Sequence, residues 1–203
     1  MLPWEALDET IAPDGKKLEL RRRGREYLIK AGGYELMSSE DDASSRSLSE
    51  LGCKYLPSRD ARVLVGGLGM GFTLRAALDA LPKGGTVEIA ELVPAVVEWN
   101  RGVLAELARK PLDDPRTILF LGDVRLRIKQ ARSEFDAILL DVDNGPSALA
   151  HEANTAIYSG RGLSFAWDAL RPGGILGVWS ISDDHMFTRR LERQGFSVKV
   201  ERV

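Results

Sequence analysis

From residue 62 onward the apolar positions alternate between two rhythms. Short, nearly unbroken apolar runs occupy 62–66, 86–91, 117–121, 137–141 and 175–180. Between them, at 72–81, 94–109, 124–131 and 159–170, apolar residues recur with helical spacing. The first rhythm predicts strands buried on both faces, and the second predicts amphipathic helices. Strand and helix in alternation predict a mainly parallel, twisted sheet with helices on both faces, an α/β fold of Rossmann-like kind. A further helix over 184–194 ends at Gly195, and 196–203 reads as a terminal strand.

The first part of the chain has a different texture. Lys17-Leu18-Glu19-Leu20-Arg21 and Arg25-Glu26-Tyr27-Leu28-Ile29-Lys30 flank a turn at Arg23-Gly24, and Gly32-Gly33 leads into Tyr34-Glu35-Leu36-Met37. Short alternating runs punctuated by glycine predict a small antiparallel hairpin or three-stranded sheet. The arginines at 21, 22, 23 and 25 read as a solvated strand edge, where charge discourages edge-to-edge pairing. A serine-rich loop over 38–47 follows, with Asp42 or Ser44 as N-cap of a helix to about Tyr55 that Pro57 closes. The expected division is a β-extension with its linking helix over 1–55 and a Rossmann-like domain over 56–203.

Ligands of such sheets sit at the carboxyl ends of the strands, so the residues just after each strand are the chemical candidates. The first strand runs into Gly66-Gly67-Leu68-Gly69-Met70-Gly71. Glycines at 67, 69 and 71 permit positive φ and close approach of a ligand to the backbone. The spacing departs from a dinucleotide fingerprint, since Phe72 takes the place of its third glycine, and no Lys-Ser or Lys-Thr pair follows to cradle phosphates. A nucleoside-type ligand without a demanding phosphate remains, and S-adenosylmethionine fits. The second strand ends at Glu91, placed to accept hydrogen bonds from ribose hydroxyls. The third ends in Leu121-Gly122-Asp123-Val124, where Asp123 can cap the next helix, accept from an adenine amino group, or do both. The fourth ends at Asp141, which faces the sulfonium end of such a nucleoside and can hold an ammonium or take its proton. Asp136, at that strand's entrance, reads as structural. Asn144-Gly145-Pro146 and Arg171-Pro172-Gly173-Gly174 read as turns.

Composition narrows the field further. The net charge of -2 gives no electrostatic reason to expect nucleic acid. The one cysteine, Cys53, forms no internal disulfide and reads as a small buried hydrophobe, compatible with a reducing compartment. No apolar run is long enough to span a bilayer and no signal-like segment leads the chain, so a cytoplasmic protein without a membrane partner is expected. No metal-ligand spacing and no Gly-x-Ser-x-Gly elbow occurs. His151, in the segment after Asp141, reads as an idle loop residue, and His185 is assigned nothing.

With these residues placed, the chain from about Leu18 onward resembles the spermidine synthase family and its S-adenosylmethionine-dependent methyltransferase-fold relatives. The residues that carry the resemblance are Gly-Gly-Leu-Gly-Met-Gly-Phe-Thr-Leu-Arg at 66–75, Ala90-Glu91-Leu92-Val93-Pro94, Gly122-Asp123, and Phe135-Asp136-Ala137-Ile138-Leu139-Leu140-Asp141. The resemblance implies a donor site at Gly67, Gly69, Gly71, Glu91, Leu92, Gly122, Asp123 and Val124, with Asp141 as catalytic aspartate. It further implies a cytoplasmic enzyme of polyamine biosynthesis that acts on a small-molecule acceptor and is able to form a homodimer. The departures have physical content. Met70 stands where the synthases hold the donor's amine with an aspartate, and a thioether does not pair with an ammonium. Asn144 stands at the second aspartate of the acceptor loop, with Asp143 beside it as a substitute, so Asp143 and Asn144 are the expected acceptor contacts. Met37 and Arg46-Ser47-Leu48-Ser49 replace the family's Gln and Tyr-His pair. A diamine dication needs several carboxylates and acceptors to replace its hydration. The reading from these departures is therefore methyl transfer from S-adenosylmethionine, with aminopropyl transfer from the decarboxylated donor as the alternative and a non-catalytic adenosine-binding scaffold as a third. The related fold usually finishes with a strand hairpin, so the sheet is expected to be one strand short or the sequence to continue.

Overall fold

The computed structural model describes residues 2–56, 59–142 and 156–203. Four antiparallel strands come first: β1 (Glu5–Ile11), β2 (Lys17–Arg23), β3 (Glu26–Ala31) and β4 (Tyr34–Ser38), neighbours in chain order. The sequence predicts at most three, and β1 is the strand it misses. Glu-Ala-Leu-Asp-Glu-Thr-Ile has little apolar rhythm because β1 is a largely exposed edge. A ladder from Glu5↔Arg22 to Ile11↔Lys17 holds it, with a bulge between Ala6 and Asp8. The arginine cluster is not at a strand edge, contrary to expectation. Arg21, Arg22 and Arg23 belong to β2, which is paired with both β1 and β3. Their charges are met by acidic neighbours instead, Arg22 with Glu5 at 3.0 Å and Arg23 with Glu26 at 2.6 Å.

Helix α1 (Ala43–Cys53) links this sheet to the second. Asp42 takes the N-cap position but makes no side-chain cap bond, and Asp41 accepts from Ala43 N instead. Cys53 is buried, and desolvation pushes its thiol up to about 12. Pro57, expected to close this helix, lies outside the described residues.

The second sheet is parallel throughout. Its strands β5 (Arg62–Gly66), β6 (Thr86–Glu91), β7 (Thr117–Leu121), β8 (Phe135–Leu140) and β9 (Leu170–Val178) lie in the order β7-β6-β5-β8-β9. Helices α2 (Phe72–Ala80), α3 (Pro94–Arg101), α4 (Val124–Gln130), α5 (Gly160–Ala169) and α6 (His185–Gln194) alternate with these strands or follow them. The expected Rossmann-like α/β architecture with an antiparallel extension is thus present. Alternate residues of each strand feed two cores. Val63, Val65, Ala137 and Leu139 face one core, shared with Leu20 and Ile29 of the small sheet. Leu64, Ile138 and Leu140 face the other, with Phe135, Tyr158 and Leu163. Chain order reverses between β5 and β8, the point at whose carboxyl ends open α/β sheets hold their ligand crevice.

Three expectations need correction. Helix α3 ends at Arg101, well before 109, because Gly102 leaves the helical region; successive turns carry the chain to Arg109 and Lys110, both at positive φ. Strand β9 begins at Leu170, so Arg171-Pro172-Gly173-Gly174 is absorbed into the strand as an irregularity opposite β8. Residues 196–203 form no strand. Alternation alone does not make a strand without a ladder partner; Phe196 instead meets Trp167 edge-on at 4.9 Å, and Arg202 pairs with Asp183 at 2.7 Å. No described helix is long and apolar enough to cross a membrane.

Candidate functional site

The glycine turn leaves β5 through three residues in the left-handed region, Gly67 at φ +89°, Gly69 at φ +51° and Gly71 at φ +85°. Each also lies close to a neighbour, and at Gly67 that neighbour is unyielding backbone. A Cβ on Gly67 would stand 2.5 Å from the Asp141 carbonyl oxygen, one on Gly69 would stand 2.9 Å from Met37 Sδ, and one on Gly71 would stand 3.0 Å from Asn100 Oδ1. The turn is braced from behind by Asn100 of α3, whose Nδ2 donates to Gly69 O at 2.8 Å and to Val96 O at 2.9 Å. From the small sheet, Met37 Sδ accepts from Met70 N at 3.3 Å. The Met70 side chain is fully buried in the core.

Glu91 reaches back to this turn from the exit of β6. Its Oε2 accepts from Leu68 N at 2.9 Å and its Oε1 from Val93 N at 2.8 Å. Burial pushes its pKa up against the pull of the backbone N–H groups of Val93, Leu68 and Leu92. A carboxylate oxygen has two acceptor directions, so each Glu91 oxygen keeps capacity for a hydroxyl donor. Leu92 is half exposed at the rim, and Gly122 N donates to Glu91 O at 2.7 Å, which fixes the neighbouring strand end. Asp123 caps α4, accepting from Arg125 N at 2.8 Å, and pairs with the Arg125 guanidinium at 2.5 Å. Burial acts to raise the Asp123 pKa, but the Arg125 hydrogen bonds prevail and hold it below the usual aspartate value. Val124 packs against Gly66.

Asp141 emerges directly after β8, with its backbone N donating to Gly66 O at 3.0 Å. Its carboxylate oxygen Oδ2 accepts from Thr73 Oγ1, at the start of α2, and from Ser45 Oγ of α1 at 3.3 Å. Burial pushes its pKa up, and the two hydroxyls pull in the other direction. Gly67 touches Asp141 on one side, and its neighbour Leu68 binds Glu91 on the other. The glycine turn, Glu91 and Asp141 therefore meet at the carboxyl ends of β5, β6 and β8, where the strand order reverses.

Asp136 is structural, as expected: it accepts from Arg62 N at 2.8 Å and from Arg171 at 2.6 Å. Asp143, Asn144 and His151 lie outside the described residues. His185 opens α6. Among the described residues, no group of His, Cys, Asp and Glu is arranged to hold a metal ion. The sequence reading misses Ser45, Thr73 and Asn100. Ser45 and Ser49 lie four residues apart in α1 and are both buried, hence both in need of partners, but that burial is not legible in the sequence.

No family model matches the chain. In sequence it is 32% identical over 145 residues to polyamine aminopropyltransferase 2 of Pseudomonas aeruginosa, covering 66% of this chain and 39% of that protein. It is 34% identical over 117 residues to spermidine synthase of Dictyostelium discoideum, covering 57% of this chain and 38% of the relative. The chain thus spans about two fifths of the length of these curated relatives. Among solved structures, spermidine synthase from Thermotoga maritima superposes with a TM-score of 0.73 over 93% of this chain and 63% of that one, at 18% identity. A spermidine synthase in complex with the transition-state analogue AdoDATO gives 0.71 over the same shares, also at 18% identity. The expected resemblance to the spermidine synthase-like family is borne out. The relatives' names point to aminopropyl transfer, the alternative, and give no support to methyl transfer.

Proposed function

Starting from a chain that is spermidine synthase-like in sequence and in fold, we propose that it is an aminopropyltransferase, using decarboxylated S-adenosylmethionine as donor and a small amine as acceptor. The observation that carries the proposal is the convergence of a glycine turn, a buried ribose-competent Glu91 and a half-buried Asp141 at the point where the strand order reverses. The turn suits an adenosine lying against bare backbone, and Glu91 retains acceptor capacity for its ribose. Asp123 caps α4 and both its oxygens are taken up by Arg125, so the proposed contact to the adenine amino group requires the Arg125 guanidinium to give way. Leu92, Gly122 and Val124 complete the proposed wall. Beyond the described residues, Asp143 and Asn144 are the proposed acceptor contacts. The methionine at 70 removes a carboxylate but projects nothing into the crevice, because its side chain is buried in the core.

The sulfonium donor supplies an electrophilic carbon joined to sulfur. The acceptor's neutral amine nitrogen forms a bond to the propyl carbon as the carbon–sulfur bond breaks, and that bond's electron pair stays on sulfur as a thioether. The proton shed by nitrogen passes to Asp141, whose raised pKa suits a general base better than an ordinary aspartate does. Most of the rate would come from holding the two reactants in line.

The test is turnover of purified protein with each donor and a panel of mono- and diamines, read by mass spectrometry. The expected products are 5′-methylthioadenosine and an amine heavier by one aminopropyl group, with the decarboxylated donor bound more tightly than the intact one. A methylated amine, or tighter binding of the intact donor, would overturn the assignment.

A further inference from the structure

Ser45, Thr73 and Asp141 come from three different elements and meet at a single oxygen. Ser45 lies in the first turn of α1, Thr73 in the first turn of α2, and Asp141 just past β8. Both hydroxyls donate to Oδ2. Among the described residues, Oδ1 accepts no hydrogen bond. Ser45 is 2% exposed and Thr73 3%. A buried hydroxyl without a partner carries a desolvation cost; here each spends its proton on the same carboxylate. Ser49, one turn on from Ser45, makes a different bond, donating to the Thr73 backbone oxygen at 2.9 Å. Helix α1 thus grips the start of α2 at Ser49 and the carboxylate at Ser45.

We propose that Ser45 and Thr73 are positioning residues that saturate Oδ2 of Asp141, fix the carboxylate plane and leave Oδ1 as the face presented to the acceptor amine. This rests on the proposed aminopropyl transfer for its catalytic meaning, but the arrangement itself is testable without turnover. Hydroxyl donors stabilise the ionised carboxylate, so removing either raises the pH at which Asp141 takes up its proton. No charged side chain on α1, α2, β5 or β8 contributes to the Asp141 shift; burial and the two hydroxyls account for it among the described residues.

The experiment is a carboxyl-carbon NMR titration of aspartate-labelled protein, with the Asp141 signal assigned from Asp141→Asn. It is run on wild type, Ser45→Ala, Thr73→Val, Thr73→Ser and Ser49→Ala, and donor affinity and kcat are measured in parallel. Ser45→Ala and Thr73→Val are expected to move the Asp141 midpoint to higher pH, and Thr73→Ser to restore it. Ser49→Ala, which loosens the helix contact without touching the carboxylate, is expected to lower Tm and leave the midpoint in place. In turnover, the first two variants are expected to lower kcat roughly ten- to a hundredfold with donor Kd little changed. An Asp141 midpoint that does not move in Ser45→Ala and Thr73→Val, or that moves equally in Ser49→Ala, overturns the proposal. If the midpoint moves as expected while wild type transfers no aminopropyl group, the hold on Asp141 stands and the assigned reaction falls.

Discussion

Replacing Gly67 by alanine tests the geometry at the centre of the crevice, and Gly15→Ala supplies its control. Both glycines lie at nearly the same positive φ, +89° and +85°. Forcing an L-residue into that region costs about 1–2 kcal/mol. At Gly15, in the β1–β2 turn, a Cβ meets nothing within 4 Å, so the backbone term is the whole cost. At Gly67 the Cβ would stand 2.5 Å from the Asp141 carbonyl oxygen, inside the 3.0 Å below which real Cβ contacts essentially never fall. The obstacle is backbone, held beside β5 by the Asp141 N–H bond to Gly66 O, and does not swing away as a side-chain tip would. Overpacking of this kind adds about 1–3 kcal/mol. At about 2–4 °C of Tm per kcal/mol for a chain of this size, Gly67→Ala should melt about 2–12 °C below Gly15→Ala. Thermal unfolding of the two variants side by side reads the difference directly. Donor titration should show unchanged affinity in Gly15→Ala and a large loss in Gly67→Ala, because Asp141 and Leu68 are both displaced. Equal melting temperatures would mean that Gly67 and Asp141 do not approach as described, and the convergence on which the site rests would be lost.

Two further outcomes follow from the charges. Arg127 is clamped between Glu88 and Glu134, with side chains only 13% and 8% exposed on Arg127 and Glu88. Arg127→Met should cost about 3–5 kcal/mol by leaving a buried carboxylate uncompensated, and adding Glu88→Gln should recover part of it; purely additive losses in chemical denaturation would contradict a coupled pair. Hydrogen bonds from Arg116 hold the Asp114 pKa down at about 2. A depressed folded-state pKa contributes stability that is present above the ordinary aspartate value and lost as pH falls through about 2. Asp114→Asn should therefore flatten the fall in stability between ordinary aspartate pH and that value, and an unchanged acid profile would refute this.

The alternation from Arg62 onward made the parallel sheet readable, because strands buried on both faces write continuous apolar runs. The strand ends were readable for a related reason: their position in the fold fixes what Gly67, Glu91, Asp123 and Asp141 lie beside. β1 was invisible because an exposed edge strand needs only a backbone ladder, and Glu-Ala-Leu-Asp-Glu-Thr-Ile has no buried face to advertise. The break of α3 at Gly102 was hidden by apolar spacing that continues through turns to residue 109. Ser45 and Thr73 escaped notice because serine and threonine on a helix do not announce which way they face. Their partnership with Asp141 spans 96 and 68 residues of chain, and only the packing of α1 on α2 brings it about. Met70 does not discriminate between methyl and aminopropyl transfer, because its side chain lies in the core.

Helix α3 joins the two sheets at adjacent residues. Trp99 donates from Nε1 to Asp8 Oδ2 at 2.7 Å, and the next residue, Asn100, carries the Gly69 carbonyl. A pull on the outermost strand is therefore felt one peptide away from the glycine turn, which Met37 also touches through Met70 N. Trimming the chain to its parallel half would unseat the loop it was meant to isolate, so searches for a minimal active fragment should keep the leading strands.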